Sequence, residues 1–281
     1  MKIAKEINCL PTFLTFRCNV GCEYCINRDS ELTNAGKEMS GKEWVEGING
    51  LELESELTIE LEGGEPTQHK DFYYIIENIK YPVDLLTNLQ FDIDEFISKV
   101  DPKWFKKGDK DWYKSIRASY HPHYMDAKET INKLVKLQDA GFSVGLSSVN
   151  LPEMSKANME MTELARKNKI YYTIKEFLGY RNGSLHGFFK YPNALLKPPE
   201  TVMCKTIDIS IAPDGFMYKC HRDLYKGENA LAHISEKNSK IEYKYRNCDK
   251  FGECNPCDIK EKVNRHLEPG FSNVEIKKEN E

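Results

Sequence analysis

The sequence predicts an α/β protein: a partial (β/α)6 barrel of the TIM type followed by a small cysteine-rich C-terminal domain. Two observations predict it. Six short apolar, β-branched segments alternate with five amphipathic segments over residues 1–180, and parallel neighbours need crossover connections of this kind. The cysteines then fall into two groups, Cys9, Cys18, Cys22 and Cys25 at the front and Cys204, Cys220, Cys248, Cys254 and Cys257 at the back, which implies two separate sites.

Taken in order, Thr12 to Phe16 ("TFLTF") is the first strand and runs straight into "CNVGCEYC". Ser40 caps a helix in which Trp44, Ile48 and Leu51 share one face. Leu57 to Leu61 alternates as a second strand that stops at the glycines of "GGEP". "DFYYIIENI" is helical, Val83 to Asn88 a third strand and "DIDEFISKV" helical again. Ser115 to Pro122 is a strand closed by proline, "AKETINKLVKLQDAG" a helix ending at Gly141, and "FSVGLSSVNLP" a strand. "MSKANMEMTELARKN" is a helix and Ile170 to Leu178 the last strand. In such barrels functional loops leave the C-terminal ends of the strands, so "CNVGCEYC", "GGEPT", "TNLQ", "SYHPHY" and "NLP" share one face.

Residues 181–203, rich in Gly, Pro and Asn, read as a linker. The next unit, 204–260, opens with "IDISIAPDGFMYKC", a hairpin around a PDG turn, and ends in "CDKFGECNPCD". Residues 261–281 are a charged tail, its "NVEIKKENE" end predicted to be disordered.

Composition narrows the function. The 40% hydrophobic content of the 281 residues suits a folded protein with a substantial core. Acidic and basic residues are interspersed, with a net charge of −4, so no basic stripe points to nucleic acid. No window is apolar enough to span a membrane and the start lacks a secretory signal, which predicts a cytoplasmic chain with no membrane partner. Nine cysteines in that compartment read as metal ligands or catalytic thiols rather than disulfides.

Three thiolates on one tight loop leave one position of a bound metal open for chemistry, whereas four would close it. Cys18-x3-Cys22-x2-Cys25 after the first strand, with "GGEP" at the end of the second, resembles the radical S-adenosylmethionine superfamily. The resemblance implies a [4Fe–4S] cluster on Cys18, Cys22 and Cys25 whose fourth iron binds S-adenosylmethionine. It also implies that Tyr24 lies around the adenine, that Gly63, Gly64 and Glu65 hold the methionine amino group, and that Asn88 and Ser119 meet the ribose or carboxylate. The residues by themselves also suit a zinc knuckle.

Cys204-x10-Gly215-x4-Cys220, with Cys248-x5-Cys254-x2-Cys257, resembles the SPASM and twitch extensions of that superfamily. Five cysteines rather than seven fit the one-cluster, twitch-like form, which makes two [4Fe–4S] clusters in all. Cys204, Cys220, Cys254 and Cys257 are the favoured ligands, the last two sharing a turn around Pro256, with Cys248 spare as an alternative ligand or a hydrogen-atom donor. A zinc ribbon is the alternative.

Cys9 reads as a small buried hydrophobe, and His121, His123 and His221 as loop histidines or acid/base groups. Lys175 and Glu176 point to opposite faces of the last strand, and Glu176 is taken as the inward one. Glu176 and Arg117 join Cys248 as catalytic candidates.

The resemblance implies reductive cleavage of S-adenosylmethionine to a 5′-deoxyadenosyl radical that abstracts a hydrogen atom, with electrons from a flavodoxin- or ferredoxin-type donor. Fewer than a dozen residues precede the first strand, leaving no room for a fused leader-peptide-binding domain, so the expected substrate is a small sugar- or aminocyclitol-like metabolite undergoing oxidation or epimerisation. The alternatives are a peptide-modifying enzyme of the maturase kind, and a non-enzymatic iron–sulfur or zinc-binding interaction protein.

Overall fold

The computed structural model describes residues 1–29, 37–105, 112–195, 198–262 and 270–278. Six parallel strands follow one another in chain order: β1 (Leu10–Thr15), β2 (Ile59–Gly63), β3 (Val83–Thr87), β4 (Ile116–Ser119), β5 (Val144–Asn150) and β6 (Tyr171–Glu176). Their registers are continuous, with Ile59 beside Val83, Leu85 beside Ile116, Ile116 beside Val144 and Gly145 beside Tyr171.

After a short turn of helix, α1 (Ile26–Asp29), the crossovers are α2 (Gly41–Asn49), α3 (Phe72–Asn78), α4 (Ile93–Lys99), α5 (Ala127–Asp139) and α6 (Ser155–Lys167). Their starts follow from short polar side chains that satisfy orphan amides. Ser40 and Glu43 form a reciprocal capping box on α2, and the Asp92 and Asp126 carboxylates cap α4 and α5. Side-chain alternation then divides the sheet. Ile59, Leu61, Val83, Leu85, Ile116, Ala118, Val144 and Leu146 form the outer face and are buried with Trp44, Ile48, Phe72, Phe96, Ile131 and Met161 of the helices. The other face carries Glu60, Glu62, Asp84, Arg117, Ser119 and Lys175, so the concave side is a polar chamber.

Beyond β6 the chain makes a hairpin of β7 (Gly179–Arg181) and β8 (Ser184–His186). Next come β9 (Glu200–Thr206), β10 (Ser210–Ile211), β11 (Phe216–Tyr218), α7 (His221–Lys226), β12 (Ala232–His233), β13 (Arg246–Phe251), α8 (Pro256–Ile259) and β14 (Val274–Lys277). The expected PDG hairpin forms, but it does not stand in a separate unit. Ile211 pairs in parallel with Thr12, so β10, β11 and β12 extend the barrel sheet past β1 to nine strands. A second sheet, β13-β9-β14, carries Cys204 and Cys248.

Two sequence-based expectations change. Val274–Lys277, assigned to a disordered tail for its charge, is a strand, because Val274 and Ile276 alternate and pair with Thr206 and Cys204 of β9. Residues 263–269 and 279–281 of that tail lie outside the described residues. The 181–203 linker is also shorter than composition suggested: β7 and β8 straddle its start, and β9 begins at Glu200.

Candidate metal centre and reaction chamber

Cys18, Cys22 and Cys25 lie on the loop leaving β1, and the loops from three neighbouring strands grip it. Gly64 N–H donates to Thr15 O at 2.9 Å and Glu65 N–H to Arg17 O at 2.8 Å. The Asn88 amide donates to Asn19 Oδ1 at 2.8 Å, and the Tyr124 hydroxyl to Gly21 O at 2.8 Å. Asn27 donates to Gly63 O at 3.1 Å and itself accepts from the Tyr225 hydroxyl of α7, tying the C-terminal segment to the same loop. The glycines are required by this grip. At Gly63, with φ +140°, an added Cβ would stand 2.2 Å from Thr15 O, and at Gly64 2.2 Å from Arg17 O.

The donor set suits an iron–sulfur cluster. Cys22 is buried, and that burial, reinforced by Cys25 and Cys18 nearby, pushes its thiol up to about 11, although a hydrogen bond with Tyr24 opposes the shift. A metal would therefore displace a proton on binding. Cys18 is exposed, and its sulfur receives the Val20 N–H at 3.4 Å and the Asn88 amide at 3.6 Å. Donors aimed at sulfur are what tunes and holds such clusters.

Glu65 follows Gly63 and Gly64 directly after β2. Its carboxylate is fully buried and accepts from Thr67 Oγ1 at 2.7 Å, Thr87 Oγ1 at 2.9 Å and Asn88 N–H at 2.7 Å. It braces the end of β2 against the end of β3. Tyr24 borders a cavity of about 510 Å³ lined also by His123, Leu151 and Phe177. Its hydroxyl meets His121 Nδ1 at 2.8 Å, and burial pushes His121 down to about 4, so that histidine is neutral. Ser119 shares the chamber face with Arg117 and lies beside Ser147.

Inside the chamber Arg117 is paired with Glu60 and, at 3.2 Å, with Asp84, and stacks over Tyr113 at 4.6 Å. Burial opposes ionisation of Glu60, but Arg117 holds its carboxyl below the usual range. The guanidinium offered as a catalytic candidate is thus committed to two carboxylates. Glu176, the other strand candidate, looks outward: its carboxylate accepts from Phe188 N–H at 3.1 Å. By register Lys175 is the residue on the chamber face, with its side chain exposed. Sequence reading also passed over Glu62, which burial and the neighbouring Glu60 push up to about 7. The signal was present in "IELEG", where every second residue is acidic, but the face to which those residues point is a tertiary fact. Cys9, taken for a small hydrophobe, donates from Sγ to Glu60 at 2.7 Å.

The five C-terminal cysteines divide. Cys204, Cys248 and Cys254 share an apolar cluster with Ala194, Ile259 and Val274. Cys248 stands opposite Val202, two residues from Cys204 on the same face of β9, so the thiol left as the spare is beside two favoured ligands. Burial, with Cys248 close by, pushes Cys204 up to about 12. Cys220 and Cys257 sit on segments pinned together by His221 Nδ1 and Asp258 Oδ1 at 2.6 Å. Burial opposes the charge of His221, yet Asp258 raises it to about 9. A second cavity, about 660 Å³, runs between Ile26 and Leu178–Tyr180 on one side and Arg222 and Gly252–Pro256 on the other.

Residues 10–91 match the family described as 4Fe-4S single cluster domain. A probable GTP 3′,8-cyclase of Methanopyrus kandleri is 31% identical over 88 residues, 31% of this chain and 28% of the cyclase. Streptococcus suis SuiB bound to precursor peptide SuiA superposes with a TM-score of 0.54 at 12% identity over 82% of this chain, which spans 63% of SuiB. The anSMEcpe structure with bound AdoMet gives 0.54 at 13% identity, covering 82% of this chain and 78% of that one. No helix among the described residues is long and apolar enough to cross a membrane. The chain thus carries a segment similar to an iron–sulfur family on the loop after β1 and shares the fold of these solved structures.

Proposed function

We propose that the chain is a radical S-adenosylmethionine enzyme acting on a peptide. One observation carries the reading: a three-thiol loop, with no fourth cysteine on it, clamped by its neighbours at the mouth of a polar chamber. Cys18, Cys22 and Cys25 would hold a [4Fe–4S] cluster. That cluster, with S-adenosylmethionine bound, would supply the one-electron chemistry needed to take a hydrogen atom from substrate carbon. The chain's own part is positioning and shielding. Tyr24, fixed by His121, borders the cavity suited to the adenine. Gly63 and Gly64, at the end of β2, would lie at the methionine end, with Asn88 and Ser119 at neighbouring strand ends. Cys204, Cys248 and Cys254 are the core of the proposed auxiliary cluster, and a small ferredoxin or flavodoxin is the proposed electron source.

A peptide is favoured over a sugar because a cleft of about 660 Å³ is lined by Ile26, next to the cysteine loop, by Cys254 and by half-exposed Tyr180. SuiB bound to precursor peptide SuiA, and anSMEcpe with bound AdoMet and Kp18Cys peptide, are structural neighbours. The sugar expectation rested on where the sequence starts, which bears on no site. Anaerobically reconstituted protein given dithionite and S-adenosylmethionine is expected to release 5′-deoxyadenosine slowly, and the Cys18→Ala, Cys22→Ala, Cys25→Ala variant to release none. Equal yields from both proteins, or zinc in place of iron in the wild type, contradict the reading.

A further inference from the structure

We infer that Glu62 receives a cationic group of the substrate, an ammonium or a guanidinium, at the mouth of the chamber. The inference rests on the reading above that the chamber holds the substrate, and it names the chemistry of that substrate.

Register fixes the position. Phe13 of β1 stands beside Glu62 of β2 and Pro11 beside Glu60, so the two glutamates share a face and Glu62 is the one nearer the cysteine loop. The Phe13 ring meets His221 at 5.9 Å and Tyr225 at 6.0 Å, both edge to face. The Tyr225 hydroxyl donates to Asn27, and Asn27 donates at 3.1 Å to the carbonyl of Gly63, the residue after Glu62. Contacts from β1, α7 and α1 thus close around this end of β2.

The charges deeper on the same face are matched. Arg117 bridges Glu60 and Asp84, Glu60 also accepts from Cys9 Sγ at 2.7 Å, and Asp84 accepts from the Tyr113 hydroxyl at 3.1 Å. Lys262 has Asp208 at 3.6 Å, Lys219 has Asp223 at 2.7 Å and His221 has Asp258 at 2.6 Å. Lys175 stands on β6, at the sheet edge, with its side chain exposed. Of Glu60, Asp84 and Glu62, only Glu62 has neither a hydrogen bond nor an ion pair among the described residues.

Glu62 is half-buried, while Phe13 and Tyr225 are buried. A carboxylate against such a wall loses hydration without gaining a partner, which is costly. Burial and Glu60 accordingly push it up to about 7, although His221, Lys262 and Arg117 pull the other way. A cation set against the carboxylate replaces the lost hydration with a charge-assisted contact, and the apolar wall strengthens that attraction. A neutral donor would leave the charge unmatched, whereas an ammonium or a guanidinium matches charge and hydrogen bond together.

The test is calorimetric titration of the reconstituted full chain with Nα-acetyl-lysine amide and Nα-acetyl-arginine amide, with Nα-acetyl-norleucine amide as the uncharged control. One of the cationic amides is expected to bind saturably and about tenfold more tightly than the control, and Glu62→Gln to lose that preference. Wild-type protein that prefers neither cationic amide, or a Glu62→Gln variant that keeps the preference, overturns the inference. S-adenosylmethionine has an ammonium of its own, so its affinity is measured alongside: a variant that loses S-adenosylmethionine and keeps the preference for the cationic amide assigns Glu62 to the cofactor and overturns the inference. If Glu62→Gln fails to fold, carbodiimide coupling of the wild type to glycine ethyl ester decides, read by peptide mass spectrometry. The cationic amide should protect Glu62, and equal labelling with and without it overturns the inference. Absence of 5′-deoxyadenosine from the wild type defeats the radical reading while leaving the amide titration valid.

Discussion

Gly63, Gly64 and Glu62 show how much a few side chains decide. An alanine at Gly64 meets the Arg17 carbonyl at 2.2 Å, so Gly64→Ala must push the cysteine loop off β2, at a cost of about 3 kcal/mol or more. At Gly183 nothing lies within 4 Å and only the φ of +77° is strained, so Gly183→Ala should cost about 1 kcal/mol. Melting curves and iron content should rank the two in that order, with iron lost only from Gly64→Ala. Glu62 makes a pH prediction. Its folded-state value, about 7, lies above the ordinary carboxylate value, so the folded state holds the proton more tightly. Stability from this group is fully present at low pH and is lost as pH rises through about 7. Glu62→Gln should therefore raise the melting temperature at pH 8 and leave it unchanged at pH 5; equal effects at both pH values would remove Glu62 from the account. The motif residues were legible because their spacing is local. The directions of Glu62, Lys175 and Glu176 were not, since alternation states that neighbours face opposite ways without saying which way is in.

Among the elements, the six parallel strands and five crossover helices could be read from periodicity, caps and glycines, to within a few residues at each end. The strands that join the C-terminal segment to the barrel could not. Ser210–Ile211 and Ala232–His233 are two residues each, too short to show a period, and Ile211 is in the sheet because Thr12 offers an edge. Strand β14 was hidden by its charge, although Val274 is buried and pairs with Thr206 of β9. Val274→Asp places a carboxylate in the apolar cluster of Cys204 and Ile259, where an unpaired charge costs several kcal/mol. The expected result is loss of the C-terminal cluster with retention of the N-terminal one, about four irons per chain in place of about eight, the content of one cubane against two. Full iron content in this variant would contradict a role for β14 in holding the auxiliary site.

Across the whole molecule one nine-stranded sheet joins the barrel to the hairpin that leads into Cys220, while Cys204 and Cys248 stand on a second sheet. Tyr225 of α7 reaches Asn27 beside the first group, and His221 of the same helix is bound to Asp258 beside Cys257 of the second. The chamber is consequently walled by charged strand residues on one side and by the C-terminal segment on the other, which sequence spacing had assigned to a separate domain. At its mouth stands a loop with three thiols where a closed site would need four. The measurement closest to that claim is electron paramagnetic resonance of the dithionite-reduced protein, recorded with and without S-adenosylmethionine. The signal of the N-terminal cluster should shift when S-adenosylmethionine is added, while the signal left in the Cys18→Ala, Cys22→Ala, Cys25→Ala variant should not respond. A wild-type spectrum indifferent to S-adenosylmethionine, or a shift that survives in the variant, would contradict an open iron on this loop.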